Sequence, residues 1–114
     1  MVKTVESAEV CGDRMEMLTR KSVLSRAEEC VCGQREQDYG TPEDNFKCIA
    51  EMWSAYLTKS AAPPNVTIDI GAVDVAMMMG LLKIARVAGG NHTADSFVDL
   101  AGYAACGGEC ANVR

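Results

Sequence analysis

Aromatic side chains are scarce in this chain, with one Trp, three Tyr and two Phe among 114 residues. With so few large rings, an interior has to be filled by Leu, Ile, Val, Ala and Met, which favours packed helices over a β-sandwich. Proline is rare too: Pro42 and the pair Pro63–Pro64 are all there is, so long stretches are free to be helical. No apolar run approaches the roughly 18 residues that a membrane-spanning helix needs. Positive charge is in deficit, 11 Lys and Arg against 16 Asp and Glu, for a net charge of −5 and a pI near 4.8. That balance argues against nonspecific nucleic-acid binding and against an anionic membrane surface. A small anionic ligand stays open, because a pocket can be locally basic on an acidic protein. P-loop, Rossmann glycine pattern, nucleophile elbow and H-E-x-x-H motif are all missing. The residues from Met1 to Met17 lack the apolar core of a signal peptide, so the expectation is a cytoplasmic protein with reduced thiols.

Six cysteines are present nonetheless. Cys30 and Cys32 form C-x-C, Cys106 and Cys110 form C-x3-C, and Cys11 and Cys48 stand apart. None of these reproduces the C-x2-C pairs of zinc sites, so they read as small hydrophobes within helices. The single histidine, His92, lies in a Gly-Gly-Asn-His-Thr turn and reads as a surface polar residue.

The length is that of one domain with a core of its own. Residues 1–20 carry mixed charge without periodicity and are expected to be an extension, leaving 21–114 as a single all-α domain. From Ser22, apolar or small residues at Val23, Leu24, Ala27, Cys30 and Val31 mark one amphipathic helix, with Arg26 outside and Gly40 as its stop. Thr41-Pro42-Glu43-Asp44 is the clearest helix start: a capping hydroxyl, proline at the first helical position and two acids in the first turn. Phe46, Ile49, Ala50, Trp53 and Leu57 recur on one face of that helix until Pro63–Pro64 ends it. A third helix, capped by Thr67 or Asp69, runs to about Ala88 and stops at Gly89–Gly90. A fourth, capped by Thr93, takes Phe97, Leu100, Ala101 and Ala104 as its buried face and ends near Gly107–Gly108. Four helices with short connections give a four-helix bundle-like domain. The run from Val75 to Leu82 has no polar face, and Met77, Met78 and Met79 point three ways around the helix. One bundle covers only some of them, which predicts a homodimer or higher oligomer through the third helix.

Basic and acidic groups meet around the turn joining the last two helices. Asp95 and Asp99, one turn apart, share a helix face where two like charges repel unless a cation intervenes. Such a pair is suited to Mg²⁺, which prefers oxygen ligands and keeps waters for a substrate phosphate. Lys83 and Arg86 stand three apart on an otherwise apolar helix, and a guanidinium matches phosphate geometry. The plainer alternative is a salt bridge from these bases to Asp95 or Asp99 that ties the two helices together. Tyr39 and Tyr103 are candidate surfaces for stacking a base, whereas Trp53 reads as core. Asp74 falls opposite Lys83 on the helical wheel, so one pocket wall cannot hold both.

Four runs carry a resemblance: Gln37 to Phe46 (QDYGTPEDNF), Met52 to Leu57 (MWSAYL), Asp74 to Arg86, and Asp95 to Glu109. Together they resemble a family of small phage and prophage proteins with no settled activity, over about Val23 to Glu109. More distantly, the pattern is similar to the all-α NTP pyrophosphohydrolases of the MazG kind. Those are helical dimers or tetramers that cleave (d)NTPs to monophosphate and pyrophosphate, with Mg²⁺ on an E-x-x-E and an E-x-x-D motif. Asp95 to Asp99 looks like the second motif, spaced by four rather than three. The first motif has no clean match, and Glu28–Glu29 or Glu43–Asp44 would have to stand in. What the resemblance implies is Asp95 and Asp99 as catalytic residues, joined by Glu43 and Asp44 as metal ligands, with Lys83, Arg86, Tyr39 and Tyr103 holding the nucleotide. Two other functions fit the residues: an oligomer that binds or sequesters a nucleotide without cleaving it, and a helical scaffold with no small ligand.

Overall fold

A computed structural model describes residues 17–33, 37–38, 40–90 and 92–112. Most of the expected extension, residues 1–16, lies outside the described residues, and so does Tyr39. Among the described residues four long helices are packed together: α1 (Arg20–Cys32), α2 (Pro42–Ala61), α3 (Ala72–Ala88) and α4 (Ala94–Ala111). The all-α expectation holds. No described helix is long and apolar enough to cross a membrane.

Local chemistry sets each boundary. The α1 start is a reciprocal cap, in which Ser22 N–H donates to Thr19 Oγ1 and Thr19 N–H donates to Ser22 Oγ, both at 3.0 Å. This helix ends at Gly33 rather than Gly40, where a Cβ would sit 2.6 Å from the Glu29 carbonyl oxygen. Thr41 caps α2 as its sequence announces, its Oγ1 accepting the Asp44 N–H at 3.3 Å.

The third helix starts later than Thr67 or Asp69, and the reason is a strap. After Asn65 turns the chain with a positive φ of 66°, the backbone runs extended back along α2. Thr58 Oγ1 accepts the Ile68 N–H (2.9 Å) and donates to the Ile68 carbonyl (3.1 Å). One turn earlier, Ser54 Oγ accepts the Ile70 N–H (2.8 Å) and donates to the Ala50 carbonyl (2.7 Å). Four helical residues rise about 6 Å and two extended residues about 6.6 Å, so hydroxyls at i and i+4 match alternate strap residues. Only at Gly71 does α3 begin, and its start explains Asp74, whose Oδ2 accepts the Gly71 N–H at 2.9 Å.

The turn from α3 to α4 places Gly90 at a φ of 102°, with the Gly89 N–H returned to Ala85 and the Gly90 N–H to Val87. The exposed His92 ring bonds the Val87 carbonyl from Nε2 at 3.2 Å. α4 then runs straight through Gly107 and Gly108 to Ala111, contrary to the expected end. At Gly107 a Cβ would meet Met77 Cε at 2.9 Å and Ala76 Cβ at 3.1 Å, so here glycine permits close contact with α3 instead of ending a helix.

The helix α4 packs against all three others, most extensively against α3, while α1 rests on α4. Phe46, Ala50, Val75, Ala76 and Cys106 form the core, with Val31, Trp53, Met79 and Tyr103 packed around it. One expectation holds only in part. The face of α4 turned inward is Ser96, Val98, Gly102, Cys106 and Gly107, whereas Phe97 and Ala104 are exposed. Small residues on that face let α1 and α3 come close on both flanks, while Leu100 and Ala101 stay half-buried. Gly102 shows the fit, since a Cβ there would be 3.1 Å from Val31 Cγ1 of α1.

Candidate functional site

The inward face of α4 also carries Asp99, and the ion pair that it makes defines the site. Lys83 projects from α3 beneath α4, and its Nζ lies 2.9 Å from Asp99 Oδ2. The lysine side chain is 11% exposed and the carboxylate 38%, so the ammonium is inside while the carboxylate keeps an open side. A buried ammonium needs such a partner, since an unpaired charge away from water is costly. Asp99 opens on a cleft of about 270 Å³ lined by Cys30 and Val31 of α1, Phe46 of α2, and Val98, Asp99, Gly102, Tyr103 and Cys106 of α4. Gly102, one turn from Asp99, leaves the space. The Tyr103 ring forms a wall and packs on Phe46 with centroids 6.4 Å apart and planes tilted by 39°.

The residues expected at one site are only partly gathered. Asp99, Lys83 and Tyr103 are brought together. Asp95 is one turn away but 84% exposed, and its nearest cation is Arg26 of α1 at 3.9 Å. Arg86 is exposed on α3, beyond Lys83. Glu43 and Asp44 are exposed in the first turn of α2. Glu43 is close enough to Cys110 to help raise its thiol above the ordinary range, behind burial and ahead of Glu109. Cys110 lies eleven residues along α4 from Asp99, about 16 Å of helix, so Glu43 stands at the far end of α4 from the Asp pair. Among the described residues no three His, Cys, Asp or Glu side chains come together as a metal would require.

Sequence reasoning missed the α1 contribution, Arg26 beside Asp95 and Val31 in the cleft wall. Gly102 was the available signal, a residue without a side chain one turn after a carboxylate. A larger hollow, about 570 Å³, lies between the end of α2 and the strap. It is wide open, and Ser54 and Thr58 on its wall are already occupied by the strap's backbone.

The fold and cleft define a small all-α protein whose last two helices are locked by a lysine–aspartate pair beneath an aromatic-walled cleft. The chain belongs to the family described as a domain of unknown function, DUF6378, which matches residues 22–111. It is similar to the Gene 55 protein of Mycobacterium phage D29, 44% identical over 86 residues that make up 75% of this chain and 51% of that protein. The Gene 55 protein of Mycobacterium phage L5 is 45% identical over 83 residues, 73% of this chain and 48% of that one. The chain thus spans about half the length of these curated relatives. No solved structure matches it.

Proposed function

We propose that this protein binds a nucleotide, with the base in the α1–α2–α4 cleft. One observation carries the reading. The Asp99 carboxylate is fixed from below by a buried ammonium, yet faces an aromatic-walled hollow with its open side. A carboxylate so placed accepts the N–H groups of a base edge, and the Tyr103 ring supplies a flat neighbour. Ligand pockets run about 300–1,000 Å³. A cleft of about 270 Å³ therefore suits a base and leaves sugar and phosphates outside.

A second reading is turnover, Mg²⁺-dependent cleavage of a (d)NTP to monophosphate and pyrophosphate. The exposure of Asp95, one turn from Asp99, favours it, because that carboxylate is open to a hydrated cation. A metal there would compete with Lys83 for Asp99 and would activate a water for attack at phosphorus. The test is a nucleotide panel with and without Mg²⁺, reading the melting temperature and the products by chromatography. At a hundredfold excess over Kd, a bound nucleotide stabilises by about 2.7 kcal/mol, a rise on the order of 10 °C. Asp99→Asn, compared with its own unliganded midpoint, should lose that rise. Intact recovered ligand means binding. Monophosphate and pyrophosphate that vanish in Asp99→Asn mean turnover, and silence in both channels leaves a scaffold.

A further inference from the structure

The outer half of α3 is apolar along most of its length. Met77, Met78, Leu81, Leu82 and Ile84 are all exposed, Leu81 most of all at 61%. Charge appears only near the ends of this face, in exposed Asp74 and Arg86. The outward side of α4 extends the patch, since it carries exposed Phe97 and Ala104 beside half-buried Leu100. Between the two helices lies a groove of about 280 Å³ with no polar lining, floored by Gly80 and bounded by the Met77–Leu81–Ile84 ridge and Leu100.

From this surface we infer that α3 and α4 form the interface of a twofold dimer of this chain. An isologous contact needs knob and hole on one surface, because each copy presents the same patch to the other. Here the ridge at Met77, Leu81 and Ile84, spaced by four and then three, stands next to the groove that would receive it. Area agrees. Six large side chains, each about half exposed, offer on the order of 500 Å² of apolar surface. Homodimer interfaces are about 65% apolar, which scales this patch to roughly 800 Å² per copy, the standard size for a stable complex. Charge agrees as well. A chain of net charge −5 repels its own copies, yet this face balances one acid with one base and leaves the excess acid elsewhere. The inference is independent of the nucleotide reading, because the cleft lies on the opposite flank of α4.

Size-exclusion chromatography with light scattering tests it, read alongside helix content by circular dichroism. Wild type at about 50 µM should have twice the 12.2 kDa of one chain. Leu81→Arg should have the mass of one chain with its helix content kept, because Leu81 already faces outward. Should that variant lose helix, Leu81→Ala replaces it, with association at least tenfold weaker expected. A wild type of 12.2 kDa overturns the inference. So does a dimer that survives Leu81→Arg and Met78→Arg but separates in Leu24→Arg, which alters an equally exposed leucine on α1.

Discussion

Asp95 and Asp99 are indistinguishable as letters, and their surroundings make them different groups. Asp99 shares a short bond with a lysine that is otherwise buried, whereas Asp95 is almost fully solvated at 3.9 Å from Arg26. Lys83→Met should therefore cost about 1–3 kcal/mol in urea unfolding, because it leaves a half-buried carboxylate without its cation. Asp95→Asn should stay within about 0.5 kcal/mol, as exposed pairs do. A similar contrast applies to the thiols. Cys110 is held above its ordinary range by burial and by the charges of Glu43 and Glu109, so its thiolate is disfavoured at pH 8. Glu43→Gln removes one of those charges and should speed alkylation of Cys110, measured by peptide mass spectrometry, while changing the exposed Cys30 little.

At the scale of elements, glycine and hydroxyl positions do more than hydrophobic pattern. Gly107→Ala gains about 1 kcal/mol in helix propensity but drives a methyl to 3.1 Å from Ala76 Cβ, an atom anchored to the neighbouring backbone. The net effect should be a loss of about 1–2 kcal/mol in thermal or urea unfolding. In the strap, Thr58→Val keeps shape while removing both bonds to Ile68 and should expose that amide to faster hydrogen exchange, at a cost of about 1–2 kcal/mol. These elements also show what a reader of the sequence can see. The Thr41-Pro42 start, the Gly89–Gly90 stop and the Phe46–Ala50 face were legible because each depends on residues within one turn of itself. The late start of α3, the passage of α4 through two glycines and the exposure of Phe97 and Ala104 were not, because each depends on a neighbour distant in sequence. The candidate site divides in the same way. Lys83, Asp99 and Tyr103 stand out as polar or aromatic residues on apolar helices. Arg26 and Val31 enter only once α1 is laid on α4.

For the molecule as a whole, the order of packing differs from the order of the chain. α2, α3 and α4 are tied to one another, while the principal partner of α1 is α4, the most distant in sequence of the described helices. Among the described helices α1 should therefore show the fastest amide exchange, read residue by residue by NMR, because Ala27 is its one fully buried residue, and half-buried Val31 and the loose Arg26–Asp95 pair add the rest of its described anchorage. Synthesis gives that arrangement a direction in time. At roughly 5–20 residues per second, α1 emerges several seconds before α4 exists, so α1 is made well ahead of the helix that covers it. A segment that must wait in water is better off being mostly polar. The sequence from Arg20 to Cys32, with five charged residues in thirteen, is fit for that wait.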